Sequence, residues 1–231
     1  MRPYRVAFWR RLVRPIIRGV FRLIFRILAP VKVTGKENIP RKGSYVVAMN
    51  HVSLFDPPFM LSFFPRQLEA MGAVDIWDRP GQGILARLFG GIPVHRGEYD
   101  RKLIDTVLNV LHSGYPLLIA PEGGRSHITA LQRAKPGVAF ILDEARVPVV
   151  PVGIVGTTDD FWHRATHGER PQLEMRIGKP FHLPPLEGRG GERREARQRN
   201  ADLVMMQIVE LLPEEYRGVY AEPAIRPAET G

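Results

Sequence analysis

Two stretches of this chain carry no charged side chain at all: Tyr45–Met49 reads YVVAM, and Val147–Ile154 reads VPVVPVGI. A strand wetted on one face alternates apolar and polar residues, whereas a strand covered on both faces is apolar throughout. Runs of this kind call for a sheet with helices on both sides. The rest of the chain agrees. Strand candidates fall at Val31–Thr34, Tyr45–Met49, Leu68–Val74, Gly91–His95, Leu117–Ala120, Val147–Ile154 and Leu173–Ile177. Helical patterns lie between them, at roughly Pro57–Phe64, Gly83–Phe89, Arg101–Leu111 and Pro136–Glu144. The reading is an α/β fold with a mixed, largely parallel sheet. After a breaker-rich loop, LPPLEGRGG, a last helix runs through ADLVMMQIVELL, and residues 221–231 form a disordered tail.

The net charge of +9 raises the question of nucleic acid, and its distribution answers it. Ten basic and no acidic residues lie within positions 1–36, which leaves the other 195 residues at −1. A nucleic-acid protein carries a basic track over its body. Here the charge belongs to one terminal segment, so no nucleic-acid partner is expected.

That segment, RRLVRPIIRGVFRLIFRILAPVKV, places Arg10, Arg14, Arg18, Arg22 and Arg26 at intervals of four. On a helix each such step advances only about 40° past a full turn, so the arginines form one stripe. Crossing a bilayer is disfavoured, because each central arginine costs about 2.5–3.5 kcal/mol. A signal peptide is disfavoured too, since the arginines interrupt any apolar h-region. Residues 1–30 therefore read as a basic amphipathic helix lying in a membrane interface. Its apolar faces would enter the acyl boundary and its arginines would snorkel to anionic headgroups. A helix capping the domain is the competing reading. Pro15 suits a first helical turn or a kink, and Pro30 ends the helix.

With no cysteine, thiolate metal sites and disulfides are excluded, and no histidine pair has the spacing of a helical metal motif. No metal is expected. The chemistry-bearing stretch is NHVSLFD, residues 50–56. His51 follows a buried strand, and Asp56 stands five residues later before Pro57. On one helix these two would be about 140° apart, so they meet only across a turn, with Asp56 as N-cap and Pro57 at N1. An aspartate on His Nδ1–H fixes the tautomer and leaves Nε2 as a general base. Asn50 and Ser53 read either as turn formers or as supports of the site.

Three further blocks follow in order: GGIPVHRG (90–97), APEGGRS (120–126) and VPVVPVGI (147–154). Together with NHVSLFD they resemble the blocks of the lysophospholipid and glycerolipid acyltransferases, the 1-acylglycerol-3-phosphate acyltransferase family. The resemblance covers about residues 30–220. It implies acyl transfer from a thioester donor, acyl-CoA or acyl carrier protein, to a lysophosphatidic acid, giving phosphatidic acid. It also implies an α/β domain over 31–220 and membrane attachment, which we expect to be peripheral or monotopic on the cytoplasmic face. His51 would be the base and Asp56 its orienter. Arg96 and Arg125, each after a strand, would grip phosphate with their guanidinium forks. Glu122 would orient an arginine or accept from the acceptor hydroxyl, and the amides of Gly123 and Gly124 are candidate oxyanion donors. Gly124 stands where the family usually has threonine. No cofactor beyond the acyl donor is called for. Lys135 reads as solvated. The rivals are the same chemistry on another polar lipid acceptor, or a catalytically silent lipid-binding homologue.

Overall fold

The computed structural model describes residues 2–95, 100–126 and 128–221. Helix α1 (Phe8–Leu28) leads into β1 (Val31–Thr34) and β2 (Val46–Met49), followed by α2 (Asp56–Phe63) and β3 (Glu69–Ala73). Then come α3 (Gln82–Phe89), β4 (Ile92–Val94), α4 (Arg101–His112), β5 (Leu117–Ile119), α5 (Gly137–Ala145) and β6 (Val149–Val155). The chain closes with α6 (Phe161–Thr166), β7 (Leu173–Ile177) and α7 (Gly191–Val209). All seven expected strands are present, within two residues at their ends. Helix α6 is an addition that the sequence reading did not contain.

The strands form one sheet in the order β1-β7-β6-β2-β5-β3-β4. β6, β2, β5, β3 and β4 run parallel, and only the β6–β7 pair is antiparallel. Side-chain alternation divides the core. Val46, Ala48, Leu117, Ile119 and Val149 face a layer built from α4, α5 and α7. Tyr45, Val47, Met49, Leu118, Val150 and Val152 face the opposite layer, which holds Phe25 of α1, Phe59 and Phe63 of α2 and Phe161 of α6. Both faces of β2 are therefore dry, which is why its sequence carries no polar residue. Because β6, β2 and β5 are parallel neighbours, the chain leaves all three at the same end of the sheet, where ligands of open α/β sheets collect.

Helix α1 corrects the expected direction of the arginine stripe. Arg14 is 1% exposed and grips Glu69 of β3 with both terminal nitrogens, at 2.6 and 2.7 Å, while its Nε donates to the carbonyl of Phe89 at 2.7 Å. Tyr4 donates its hydroxyl to the same carboxylate at 2.7 Å. Arg18 donates to the Phe64 carbonyl and Arg22 to that of Ser62, each at 2.6 Å. These carbonyls lie at the C-termini of α2 and α3, where helices leave acceptors unsatisfied and the macrodipole is negative. The middle of the stripe, Arg14, Arg18 and Arg22, caps two neighbouring helices. The apolar side of α1 faces outward instead: Phe8, Leu12, Ile16, Val20, Leu23 and Ile27 are all exposed, Ile16 by 66%. Pro15 lies inside this single helix, where it makes no second segment. Among the described residues no helix is long and apolar enough to cross a membrane.

Candidate active site

His51 leaves the C-terminal end of β2, and the turn that follows brings Asp56 back to it. His51 Nδ1 lies 2.9 Å from Asp56 Oδ2. The carboxylate is fully buried, whereas the imidazole is partly open, at 18%. Oδ2 also accepts the backbone N–H of Val52 and of Ser53, each at 2.7 Å. A carboxylate oxygen accepts here, so Nδ1 carries the proton, and in the neutral imidazole Nε2 then keeps its lone pair. The sequence reading made Asp56 the N-cap. In the structure Asp56 is the first residue of α2, Phe55 is the cap, and the Asp56 side chain turns back over the 52–53 peptides. The N–H groups it satisfies precede the helix, because the histidine and the tight turn lie on that side.

The block after β5 holds the backbone of His51 from both ends. Glu122 Oε1 accepts the His51 N–H at 2.9 Å, and the His51 carbonyl accepts the Ser126 N–H at 2.8 Å. Glu122 Oε2 accepts the N–H of Gln132 at 2.8 Å. Both carboxylate oxygens are on peptides, so Glu122 fixes the loop around the histidine rather than orienting an arginine. Burial raises its pKa from 4.5 to about 7, against the lowering effect of the two backbone hydrogen bonds. Gly123 takes a left-handed φ of +73°, and a Cβ there would stand 2.9 Å from Cγ of Lys135. The position requires glycine. Its N–H donates to the Ala120 carbonyl at 3.0 Å, which removes it as an oxyanion donor. Gly124 follows in the same turn. Arg125 pairs with Asp159 at 3.1 Å and is held from the α6 side. Arg96, expected after β4, lies outside the described residues, as does the tail beyond 221.

Strand β6 supplies what the sequence reading missed. Asn50 binds both backbone groups of Ile154, donating to its carbonyl at 2.9 Å and accepting its N–H at 2.7 Å. This decides its role as a staple between β2 and β6. The Ser53 hydroxyl accepts the Phe55 N–H at 3.1 Å, which stabilises the turn. Thr157 is fully buried and donates its hydroxyl to Asp56 Oδ1. Beside the pair, Phe55 stacks on Trp162 with centroids 6.4 Å apart and meets Phe161 edge-on at 5.3 Å. Phe161 in turn packs on Phe25 of α1 at 6.0 Å. Trp162 is 52% exposed. An aromatic path thus connects the turn that bears Asp56 to the amphipathic helix. Among the described residues no three metal-ligating side chains converge.

This arrangement can carry a proton at Nε2 of a histidine that is held by a buried carboxylate, next to an arginine-bearing loop. A family model described as Acyltransferase matches residues 30–155, more than half of the chain. The lyso-ornithine lipid O-acyltransferase of Pseudomonas aeruginosa is 32% identical over 186 residues, covering 73% of this chain and 68% of that protein. The 1-acyl-sn-glycerol-3-phosphate acyltransferase alpha of Homo sapiens is 26% identical over 167 residues; this covers 69% of the chain but only 56% of the human protein's length. The crystal structure of the 1-acyl-sn-glycerophosphate acyltransferase from Thermotoga maritima superimposes with a TM-score of 0.64 at 26% identity, covering 87% of this chain and 80% of that one. The chain belongs to the acyltransferase family.

Proposed function

We propose that this protein transfers a fatty acyl group from a thioester, acyl-CoA or acyl carrier protein, to the free hydroxyl of lysophosphatidic acid, giving phosphatidic acid. The observation that carries the reading is the His51 Nδ1 to Asp56 Oδ2 contact of 2.9 Å, which occupies Nδ1 and assigns the role of base to Nε2. Nε2 takes the proton of the acceptor hydroxyl as its oxygen attacks the thioester carbonyl, and the imidazolium returns that proton to the departing thiolate. A positioned general base of this kind contributes typically ~10²–10⁴-fold in rate. Asp56, accepting from Nδ1, stabilises the transient imidazolium. Arg125, steadied by Asp159, turns its fork towards the acceptor phosphate, and Arg96 is assigned to the same group.

We also place the protein peripherally on the cytoplasmic face of a membrane rich in anionic lipid. The outward apolar row of α1 supports this, together with exposed Arg11 and Arg26 beside it. Apolar side chains would enter the acyl boundary and the flanking arginines would meet headgroups. The aromatic path from Phe25 to Trp162 favours an orientation in which the catalytic turn lies near the same lipid face.

A second acceptor, a lyso-ornithine lipid, is favoured by the similarity to the Pseudomonas aeruginosa enzyme. The deciding experiment incubates purified protein with each lysolipid and each donor and identifies products by mass spectrometry. Phosphatidic acid formation that disappears in His51→Ala, with folding intact, supports the first reading. Acylated ornithine lipid alone would replace its acceptor. Near wild-type turnover in His51→Ala would refute the mechanism.

A further inference from the structure

Asp56 uses its two oxygens differently. Oδ2 serves its own block, receiving the imidazole and the N–H groups of Val52 and Ser53. Oδ1 receives the hydroxyl of Thr157, which lies 101 residues later in the chain and just past β6. A carboxylate held at one oxygen still rotates about its Cβ–Cγ bond. Donors on both oxygens fix its plane, and with it the lone pair that Oδ2 offers to Nδ1.

Thr157 is itself held. Next to it, the Gly156 N–H donates to the Tyr216 hydroxyl at 2.9 Å, and Asn50 locks the Ile154 peptide groups two residues before that. Tyr216 is buried, and its own backbone is tied to the core loop, since its carbonyl accepts the N–H of Leu131 at 2.9 Å. The end of β6 is thus clamped from the β2 side and from the C-terminal segment. The clamped peptide presents one hydroxyl to one carboxylate oxygen.

We propose that Thr157 is a positioning residue of the His51–Asp56 pair, acting on the carboxylate plane, and that Tyr216 supports it through Gly156. This rests on the reading of His51 as the base. Thr157 is fully buried and donates its hydroxyl to Asp56 rather than to the imidazole. Its effect therefore falls on the rate of proton transfer and leaves acceptor and donor binding alone.

The test measures turnover of Thr157→Val, Thr157→Ser, Tyr216→Phe and the Thr157→Val/Tyr216→Phe double variant, each checked for folding by thermal melting. Losing a hydrogen bond to a charged group should lower kcat of Thr157→Val by about 10-fold or more. Both KM values should stay within roughly twofold, and serine should restore most of kcat, because it keeps the donor. Tyr216→Phe should lose less, and the double variant should fall no further than Thr157→Val, since both act through one carboxylate. A second readout needs no turnover: the ¹⁵N spectrum of His51 should report a single Nδ1–H tautomer in the wild type and a mixture in Thr157→Val. An unchanged tautomer, a failure of serine to rescue, or a loss confined to KM would overturn the assignment. Should His51→Ala retain activity, the reading of the base fails, and the tautomer measurement still decides the positioning role.

Discussion

Replacing Arg14 by glutamine removes the centre of the contact between α1 and the sheet. The pair it makes with Glu69 is bidentate, dry on both sides, and reinforced by the Phe89 carbonyl and the Tyr4 hydroxyl. Breaking one partner of such a buried pair costs about 3–5 kcal/mol, because the other charge stays buried without compensation. In a chain of this size about 1 kcal/mol moves the melting temperature by 2–4 °C. Arg14→Gln should therefore melt on the order of 6–20 °C below the wild type. Exposed Arg11 provides the contrast, since Arg11→Gln should shift it by less than about 2 °C. Glu69→Gln should match Arg14→Gln, while Arg14→Met with Glu69→Leu should lose much less than the sum of the single changes, as the desolvation penalty disappears with both charges. Calorimetry on these four variants and the wild type checks this. If Arg14→Gln melted within about 2 °C of wild type, the inward stripe would contribute nothing, and the account of α1 given above would fail.

Three further outcomes follow from the same geometry. The raised pKa of Glu122 means that the unfolded chain releases this proton near pH 4.5 and the folded protein only near 7, so this group's contribution to stability falls as pH rises through that window. The fall is on the order of 3 kcal/mol, and urea titrations at pH 4.5 and 7.5 should show that Glu122→Gln loses that part of the pH dependence. Changing Leu12, Ile16 and Val20 to serine should weaken co-sedimentation with anionic vesicles by on the order of 100-fold, at about 1 kcal/mol each, without lowering the melting temperature. Arg125→Ala should impair acylation of a phosphate-bearing acceptor more than it impairs hydrolysis of the thioester by water; equal losses would indicate a structural role.

Strands β2, β5 and β6 were legible in the sequence because each is buried on both faces and must be apolar throughout, and β7 was legible because LEMRI alternates buried apolar with half-buried charged residues. His51 and Asp56 were legible because five residues and a turn suffice to join them. What escaped was non-local. Nothing near Thr157 marks it, since its partner is Asp56, at the start of α2 and 101 residues earlier in the chain. The spacing of the arginines showed that they share a stripe but not which way it points. That depends on the free carbonyls of α2 and α3, which exist only once those helices have formed. Glu122 was identified as a site residue, and its actual partners are peptides of two separate segments, which no local pattern displays. Helix α6 is too short, at six residues, to show a period.

The bond between Thr157 and Asp56 also orders events during synthesis. A ribosome that has released the chain only as far as residue 155 has exposed His51, Asp56 and the loop with Glu122, yet the second carboxylate oxygen has no donor. Closing that contact spans about a hundred residues and waits for β6, and Tyr216 arrives later still. The His51–Asp56 pair therefore acquires its full set of donors only after α1 has already emerged and, on the membrane reading, has had time to find a lipid surface.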